Sequence, residues 1–460
     1  MSVSSSKLIV AEWMWASTVY DAGIGGADKI MARSARAGVT DIYFMVKGTG
    51  GKLFYLNTAY PSIRVAEDRD ALQEAIDAAH AHGIRLHTWI CIGRDVMYKD
   101  AHPDARLWPY QRENPTHRID PRNEGYREYM KSVISELAAY DIDGIHLDYI
   151  RYNYIGGGWG DSDFATLAER GADLARVREL IETTLGYNRE EADPEYIFEA
   201  YKNGDREAHL IAEYRRESIT NLATALVTAA REAKPSLTVT AALMPEGAYN
   251  AGYADLHYGQ NHEDATKLYD YICPMAYSTD FKLDAEWPIR SAKGDLALGA
   301  EVVVGLQAYN GAPAERIREE VDRLLALRAE DERVLGYSFF RNASYDYSTI
   351  CENEDGRYSA TLESATDQPW QSIKLVAQGE TRILSVKAAD GVAEGAEIAV
   401  SPDGKLAEAK GDDISPDGLC SFEVIIDGDA EGKVPFLLSP EGANPICVYN
   451  IFRPFERADK

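Results

Sequence analysis

Three carboxylates, set among aromatic and planar polar side chains, carry the chemistry this chain could perform. Ile142, Ile145 and Leu147 are the apolar residues of a short buried strand; Asp148 stands where that strand ends, with Arg151 just beyond it. Glu246 follows a second apolar run directly, and Asp280 lies three residues past Tyr277 at the end of a third. Two carboxyl groups facing each other across a bond can cleave it, one donating a proton while the other attacks or activates water, as glycosidic bonds require. A lone strand-end Asp equally suits a solvated or salt-bridged role. What sets Asp148 apart is the set of residues at the strand ends, its own included: Trp13 and Trp15, Lys47, His87 and Trp89, His146 and Arg151, Tyr277, Gln307 and Tyr309, and Arg341. Sugars offer apolar C–H faces to aromatic rings and hydroxyls to planar polar groups, so these residues read as substrate-binding. Glu246 is the preferred partner of Asp148 because its longer side chain reaches further; Asp280 could equally hold a hydroxyl. A cationic or hydrogen-bonding neighbour would keep Asp148 ionised, which assigns Arg151 and His146 to its support. His87, His102 and His146 are scattered and form no His-Glu-x-x-His element, so neither a metal nor any other cofactor is expected. Lys47 could form a Schiff base, but a hydroxyl contact or an ion pair with an Asp suits it better.

These residues must be brought together by the elements that carry them. Strand-like apolar runs at 8–15, 39–46, 84–92, 142–148, 237–244, 269–277, 302–308 and 334–340 alternate with amphipathic helical runs near 26–37, 68–82, 123–140, 206–233, 261–268, 286–297 and 313–329. Strands alternating with helices imply βα units and a parallel sheet, and eight such units predict an α/β fold, a (β/α)8 TIM barrel. In that barrel the C-terminal strand ends converge on one mouth, where Asp148 would meet the other candidates. A doubly wound open sheet would call for a Gly-rich phosphate turn, and Gly48-Thr49-Gly50-Gly51 lacks that spacing. A long insertion follows the fourth strand, residues 153–205, opening with Gly156-Gly157-Gly158-Trp159-Gly160; it reads as a lid with one exposed Trp or as a spacer. Beyond residue 360 short alternating runs separated by Gly, Asp and Pro predict a second, antiparallel β-sandwich-like domain. The division is therefore a barrel over 1–360 and an accessory domain over 361–460.

The totals narrow the partners. A 45% hydrophobic and 27% charged composition fits a soluble globular chain. The net charge of −27 repels phosphates, which argues against nucleic acid and anionic membranes and favours a neutral or cationic substrate. No apolar run approaches the roughly 20 residues of a membrane span, and Met1–Lys7 carries no apolar segment, so a cytoplasmic location is expected unless a leader has been removed. Five cysteines (Cys91, Cys273, Cys351, Cys420, Cys447) show no pairing or metal-ligand spacing and read as reduced thiols. The oligomeric state is not legible.

Three segments resemble the bacterial glycosyl-hydrolase-like family 10 proteins. They are Arg118-Ile119-Asp120-Pro121, where the family shows an LDP element; residues 140–152, reading YDIDGIHLDYIRY; and Gly259-Gln260-Asn261-His262 leading to residues 269–277, YDYICPMAY. The resemblance spans about residues 7–345 and implies a (β/α)8 glycosidase barrel, leaving the C-terminal segment unexplained. Asn153 replaces the usual proline after the central motif. The same strand is distantly similar to that of family 18 chitinases, but Ile150 occupies the place of their catalytic Glu, so catalysis assisted by the substrate's acetamido group is not implied. The expectation is a retaining glycoside hydrolase acting on an oligo- or polysaccharide, with Asp148 attacking and Glu246 or Asp280 as acid and base. The alternative is a catalytically degenerate barrel that binds carbohydrate without turning it over.

Overall fold

In the computed structural model the eight apolar runs are eight strands of one closed barrel. The structure describes residues 7–340 apart from 37, 66–67, 111–116, 188–190, 309–311 and 313, and beyond them the strands between Tyr347 and Pro440. The barrel strands are β1 (Ile9–Trp15), β2 (Asp41–Lys47), β3 (Arg85–Cys91), β4 (Gly144–Asp148), β5 (Thr238–Leu243), β6 (Tyr271–Pro274), β7 (Val302–Gln307) and β8 (Val334–Phe340). Each pairs in parallel with the next, and β1 pairs with β8 to close the circle. Helices such as Ala71–Ala81, Glu124–Ala138, Arg206–Ala233 and Glu286–Ala297 form the outer ring.

Alternation along the strands sorts side chains between two cores. Trp13, Tyr43, Trp89, Tyr271, Cys273 and Val303 meet inside the barrel. Their neighbours Met14, Ile42, Phe44, Ile145 and Leu147 point the other way, into the larger core beneath the helices. Each such buried side chain contributes about 1.5–3 kcal/mol. Every barrel strand but β8 is shorter than its apolar run, and β4 and β6 show why. β4 starts at Gly144 because the Asp143 carboxylate accepts the backbone N–H of Leu86 at 2.8 Å. Only glycine fits next, since a Cβ on Gly144 would lie 2.2 Å from His87 Nδ1 and 2.5 Å from the Thr238 carbonyl. β6 stops at Pro274 because Ala276 and Tyr277 turn back to donate to the carbonyls of Pro274 and Met275.

Between β4 and β5 the helices Asp161–Glu169, Leu174–Leu185 and Tyr196–Lys202 precede the long helix Arg206–Ala233. They share a core of their own, including Ile155, Trp159, Phe164, Leu180, Phe198 and Tyr214. Trp159 is thus not the exposed ring expected from sequence: it is 4% exposed and its indole N–H donates to the Ile155 carbonyl. The glycine-rich stretch is pinned by the fully buried Arg215, which donates to the carbonyls of Gly157 (2.7 Å), Tyr154 (2.9 Å) and His257 (3.2 Å). Two loop carbonyls tied through one guanidinium to the His257 carbonyl give this loop a fixed path rather than a hinge.

Past the barrel the described strands form a five-stranded sheet that begins at Tyr347–Glu352 and a three-stranded sheet that ends at Phe436–Pro440. Among the described residues no helix is long and apolar enough to cross a membrane.

Candidate active site

Asp148 is the last residue of β4 and opens into a cleft of about 380 Å³ at the C-terminal mouth of the barrel. Trp13, Trp15, Trp89, Tyr149, Tyr277, Phe281 and Phe340 supply aromatic walls, with Met45, Met244 and Met275 between them. Trp15 is 37% exposed at the rim, whereas Trp13 and Trp89 are nearly buried deeper in. Tyr277 stacks on Phe340 with ring centroids 5.9 Å apart.

The Asp148 carboxylate is held from three sides. Its Oδ2 accepts from the Trp89 indole at 3.1 Å, and its Oδ1 accepts from the Tyr149 backbone N–H at 2.5 Å and from Arg151 Nη1 at 3.2 Å. The turn that makes this possible is left-handed: Tyr149 has φ +53, an uncommon conformation for a residue with a side chain and one enriched at functional sites. Gly93 makes room for it, donating its N–H to the Tyr149 carbonyl at 2.9 Å. Any Cβ at Gly93 would lie 2.3 Å from that oxygen.

Glu246, two residues past Met244 of the cleft wall, sits in a short 3-10 turn after β5. Its Oε1 accepts from the Tyr258 hydroxyl at 3.2 Å, and its Oε2 is buried with no hydrogen-bond partner among the described residues. Burial pushes this carboxyl above its ordinary range, although its backbone and Tyr258 hydrogen bonds and the charges of His262 and Arg151 pull the other way. Arg151 therefore bonds Asp148 and also acts electrostatically on Glu246.

The remaining sequence candidates divide sharply. Trp13, Trp15, Trp89, Arg151 and Tyr277 line the cleft with Asp148. His87 and His146 do not reach it: each stands two residues below a mouth residue on its strand, so alternation keeps both inside the barrel, fully buried. His87 bonds Asp41 at 2.8 Å; burial raises that carboxyl, but the hydrogen bond and the charges of His87 and Arg85 outweigh it and hold Asp41 below its usual range. His146 lies flat on Tyr43, centroids 4.1 Å apart. Burial first, and the charge of His87 second, push His146 well below its usual value, so it is neutral. The Trp13 indole can only donate and does so to His146 Nε2 at 3.1 Å, which leaves the ring proton on Nδ1 to donate to Thr240 Oγ1 at 2.8 Å. Lys47 is also withdrawn from substrate: it is fully buried, its Nζ 2.8 Å from Asp95 Oδ2 and donating to the Cys91 carbonyl at 3.1 Å.

Asp280 is exposed and tied to Gln307 in both directions, its backbone N–H donating to Oε1 at 2.9 Å and its Oδ1 accepting from Nε2 at 2.9 Å. Neither lines the cleft with Asp148, so the pair ties the loop after β6 to the end of β7. Tyr309 and Arg341 lie outside the described residues. Sequence reasoning missed Tyr149, Phe281, Phe340 and the three methionines. Phe340 was legible as the last residue of β8, but nothing local marks Met45 or Met275 as cleft-facing.

Residues 36–322 match the family described as Glycosyl hydrolase-like 10, more than half of the chain. The chain belongs to this family. Asp148, Arg151 and Glu246 all fall within the matched span of this glycosyl hydrolase-like protein. A comparison with curated proteins finds no match. Among solved structures, the barrel resembles the glycoside hydrolase domain of PgaB (BpsB) from Bordetella bronchiseptica, with 13% identity, TM-score 0.54, and coverage of 73% of this chain and 94% of that one. It also resembles the catalytic domain of beta-amylase from Paenibacillus polymyxa (10% identity, TM-score 0.51, 74% and 93% covered). A third is alpha-L-fucosidase isoenzyme 2 from Paenibacillus thiaminolyticus (16% identity, TM-score 0.50), where the match covers 73% of this chain and 46% of the other. At these identities the likeness is one of fold, a parallel eight-stranded barrel ringed by helices.

Proposed function

We propose that this glycosyl hydrolase-like barrel is a glycosidase that cleaves an oligo- or polysaccharide through two carboxylates, with Asp148 as nucleophile and Glu246 as acid and then base. The observation that carries the reading is the held carboxylate of Asp148 at the floor of an aromatic cleft, with three donors on its oxygens. Donors on both oxygens fix the direction in which the carboxylate faces, and a nucleophile needs that orientation. The raised, half-buried Glu246 suits the opposite task, keeping a proton for the leaving oxygen. Trp13, Trp15 and Tyr277 would stack on sugar faces. The segment 153–205, which packs on a core of its own and supplies no cleft-lining residue among those described, would serve as a spacer, and residues 361–460 would form an accessory β-domain.

One observation favours the second reading, a barrel that binds carbohydrate without turnover. Asp148 is the carboxylate among the cleft-lining residues, and Glu246 is not one of them. The experiment that separates the two uses Asp148→Asn and Glu246→Gln with an activated aryl glycoside of the sugar that wild type binds. On the glycosidase reading D148N loses turnover whatever the leaving group, while E246Q keeps the first chemical step on a good leaving group and loses it on a poor one. Tight binding by wild type with no turnover, unchanged in either variant, would establish the binding barrel instead.

A further inference from the structure

Asp148 and Glu246 follow different strands, and one short segment bonds to both of the turns that carry them. It is Tyr258-Gly259-Gln260-Asn261-His262. Gln260 makes the central contacts: its Oε1 accepts from the Met244 backbone N–H at 3.0 Å, and its Nε2 donates to the Ile150 carbonyl at 3.2 Å. Met244 stands two residues before Glu246, and Ile150 two residues after Asp148. Tyr258 spans the same gap. Its hydroxyl donates to Glu246 Oε1 at 3.2 Å, and its carbonyl accepts from the Tyr152 N–H at 2.9 Å. His262 holds the Glu246 side from below: its Nε2 donates to the Met244 carbonyl at 3.1 Å, and its Nδ1 faces Asp295 Oδ1 at 2.6 Å. A Cβ on Gly247 would lie 2.2 Å from His262 Cδ2, so this ring bears directly on the turn of Glu246.

These contacts begin where the sheet stops. The last ladder pair between β4 and β5 is Leu147 with Ala241, and beyond it the two chains part toward the mouth. From there the gap between them is bridged by the Gln260 amide. A side chain that bonds an N–H with one atom and a carbonyl with the other must carry an acceptor and a donor together, as a carboxamide does. An apolar replacement would leave two buried backbone groups unpaired. Gln260 and His262 are both buried, and neither lines the cleft, so they act on the carboxylates and not on substrate. The turn that aims Gln260 needs glycine: Gly259 has φ +67, and a Cβ there would meet the Arg215 carbonyl oxygen at 2.6 Å. Asn261 is occupied with the local fold, accepting from the Asp264 N–H at 3.0 Å to cap the helix His262–Leu268 and donating to Asp255.

We propose that Gln260 is a positioning residue, a clamp between the two turns that sets the separation of Asp148 and Glu246. Cleavage by two carboxylates is sensitive to that distance, since about 5–5.5 Å serves a retaining reaction and about 6.5–9.5 Å an inverting one. The roles given to the two carboxylates rest on the glycosidase reading; the clamp as a mechanical link does not.

Two measurements on the full chain test it, using Gln260→Met, which keeps the length of the side chain and removes both hydrogen bonds. In the first, hydrogen–deuterium exchange should quicken in residues 149–152 and 244–249 together, while residues 302–307 on β7 stay at the wild-type level. Faster exchange at one turn alone, or at neither, overturns the clamp. In the second, aryl glycosides of one sugar are compared. A displaced acid matters most where the leaving oxygen needs its proton, so kcat should fall roughly 10- to 100-fold on a poor leaving group and much less on an activated one, with KM unchanged. A less stable fold would lower both alike, so equal losses, or a loss confined to KM, overturn the positioning role. If Gln260→Met does not fold, Gln260→Glu replaces it. Once ionised, that side chain still accepts from Met244 but has no proton for the Ile150 carbonyl, so exchange should quicken at 149–152 and stay slow at 244–249; any other pattern overturns the clamp. Wild type that turns over no glycoside removes the glycosidase reading and the catalytic purpose of Gln260 with it, and the exchange result then judges the mechanical link by itself.

Discussion

Trp89 and Asp148 are joined across neighbouring strands: the indole Nε1 on β3 donates to Asp148 Oδ2 on β4 at 3.1 Å. In the β3–β4 register Cys91 faces Asp148 and Trp89 faces His146, so the indole reaches diagonally toward the mouth to make this bond. A hydrogen bond to a charged group contributes about 1.5–3 kcal/mol. Trp89→Phe keeps the ring and removes the donor. The expected result is a fall in kcat of roughly 10- to 100-fold with KM little changed. Unchanged kcat with raised KM would make Trp89 a wall of the cleft and nothing more.

Glu246 predicts the pH profile. Burial raises its pKa, so the protonated acid persists to higher pH than for an ordinary Glu, and turnover should decline as pH climbs through that raised value. Glu246→Gln abolishes this limb because the amide does not titrate. A wild-type profile that stays level into the alkaline range, or a limb that survives in the variant, would assign the acid to another residue.

Much of this architecture was open to inspection in the chain itself. The run 334–340 is β8 to the residue and the helix 206–233 matches as well, because both are long and strongly periodic. β4 and β6 were overread because side-chain and turn hydrogen bonds take over the ladder at Asp143 and past Pro274. The site was half legible. Asp148, Trp15 and Tyr277 follow from their positions at strand ends, but depth within the barrel does not follow from residue type. His87 and His146 look like ligands in a list of polar residues; two steps down the strand, they pack rings inside the barrel. Lys47 had its partner, Asp95, 48 positions away on a different loop, which no local pattern reveals.

Glu320 makes a prediction on stability. It is buried, bonds the Ser278 hydroxyl, and is pushed up by burial from 4.5 to about 7. In the unfolded chain this carboxyl ionises near its usual value, so the folded state binds more protons between the two values. Its contribution is complete below about pH 4.5 and is lost as pH rises through about 7. Glu320→Gln removes the ionisation. Urea unfolding at pH 5 and pH 8 should show the variant gaining on wild type by on the order of 1–3 kcal/mol between the two. A difference independent of pH would mean that Glu320 does not titrate with folding.

Gly93 tests whether the turn after Asp148 is needed for the site or merely accompanies it. A Cβ there would stand 2.3 Å from the Tyr149 carbonyl oxygen and 3.0 Å from that of Arg151, both backbone atoms that cannot swing aside. Gly93→Ala must therefore push the 149–151 turn away from β3, and the N–H of Tyr149 and the guanidinium of Arg151 move with it. Both are donors to Asp148, so the nucleophile loses its orientation while the barrel core beneath is untouched. The expected outcome is a loss of turnover of at least roughly 100-fold, the effect of misplacing a reacting group by about 1 Å. Stability should fall by about 1–3 kcal/mol, as overpacking does. A variant that unfolds at the wild-type urea concentration and retains full activity would show that the turn can relax without disturbing Asp148, and the left-handed Tyr149 would then be a packing feature of this loop.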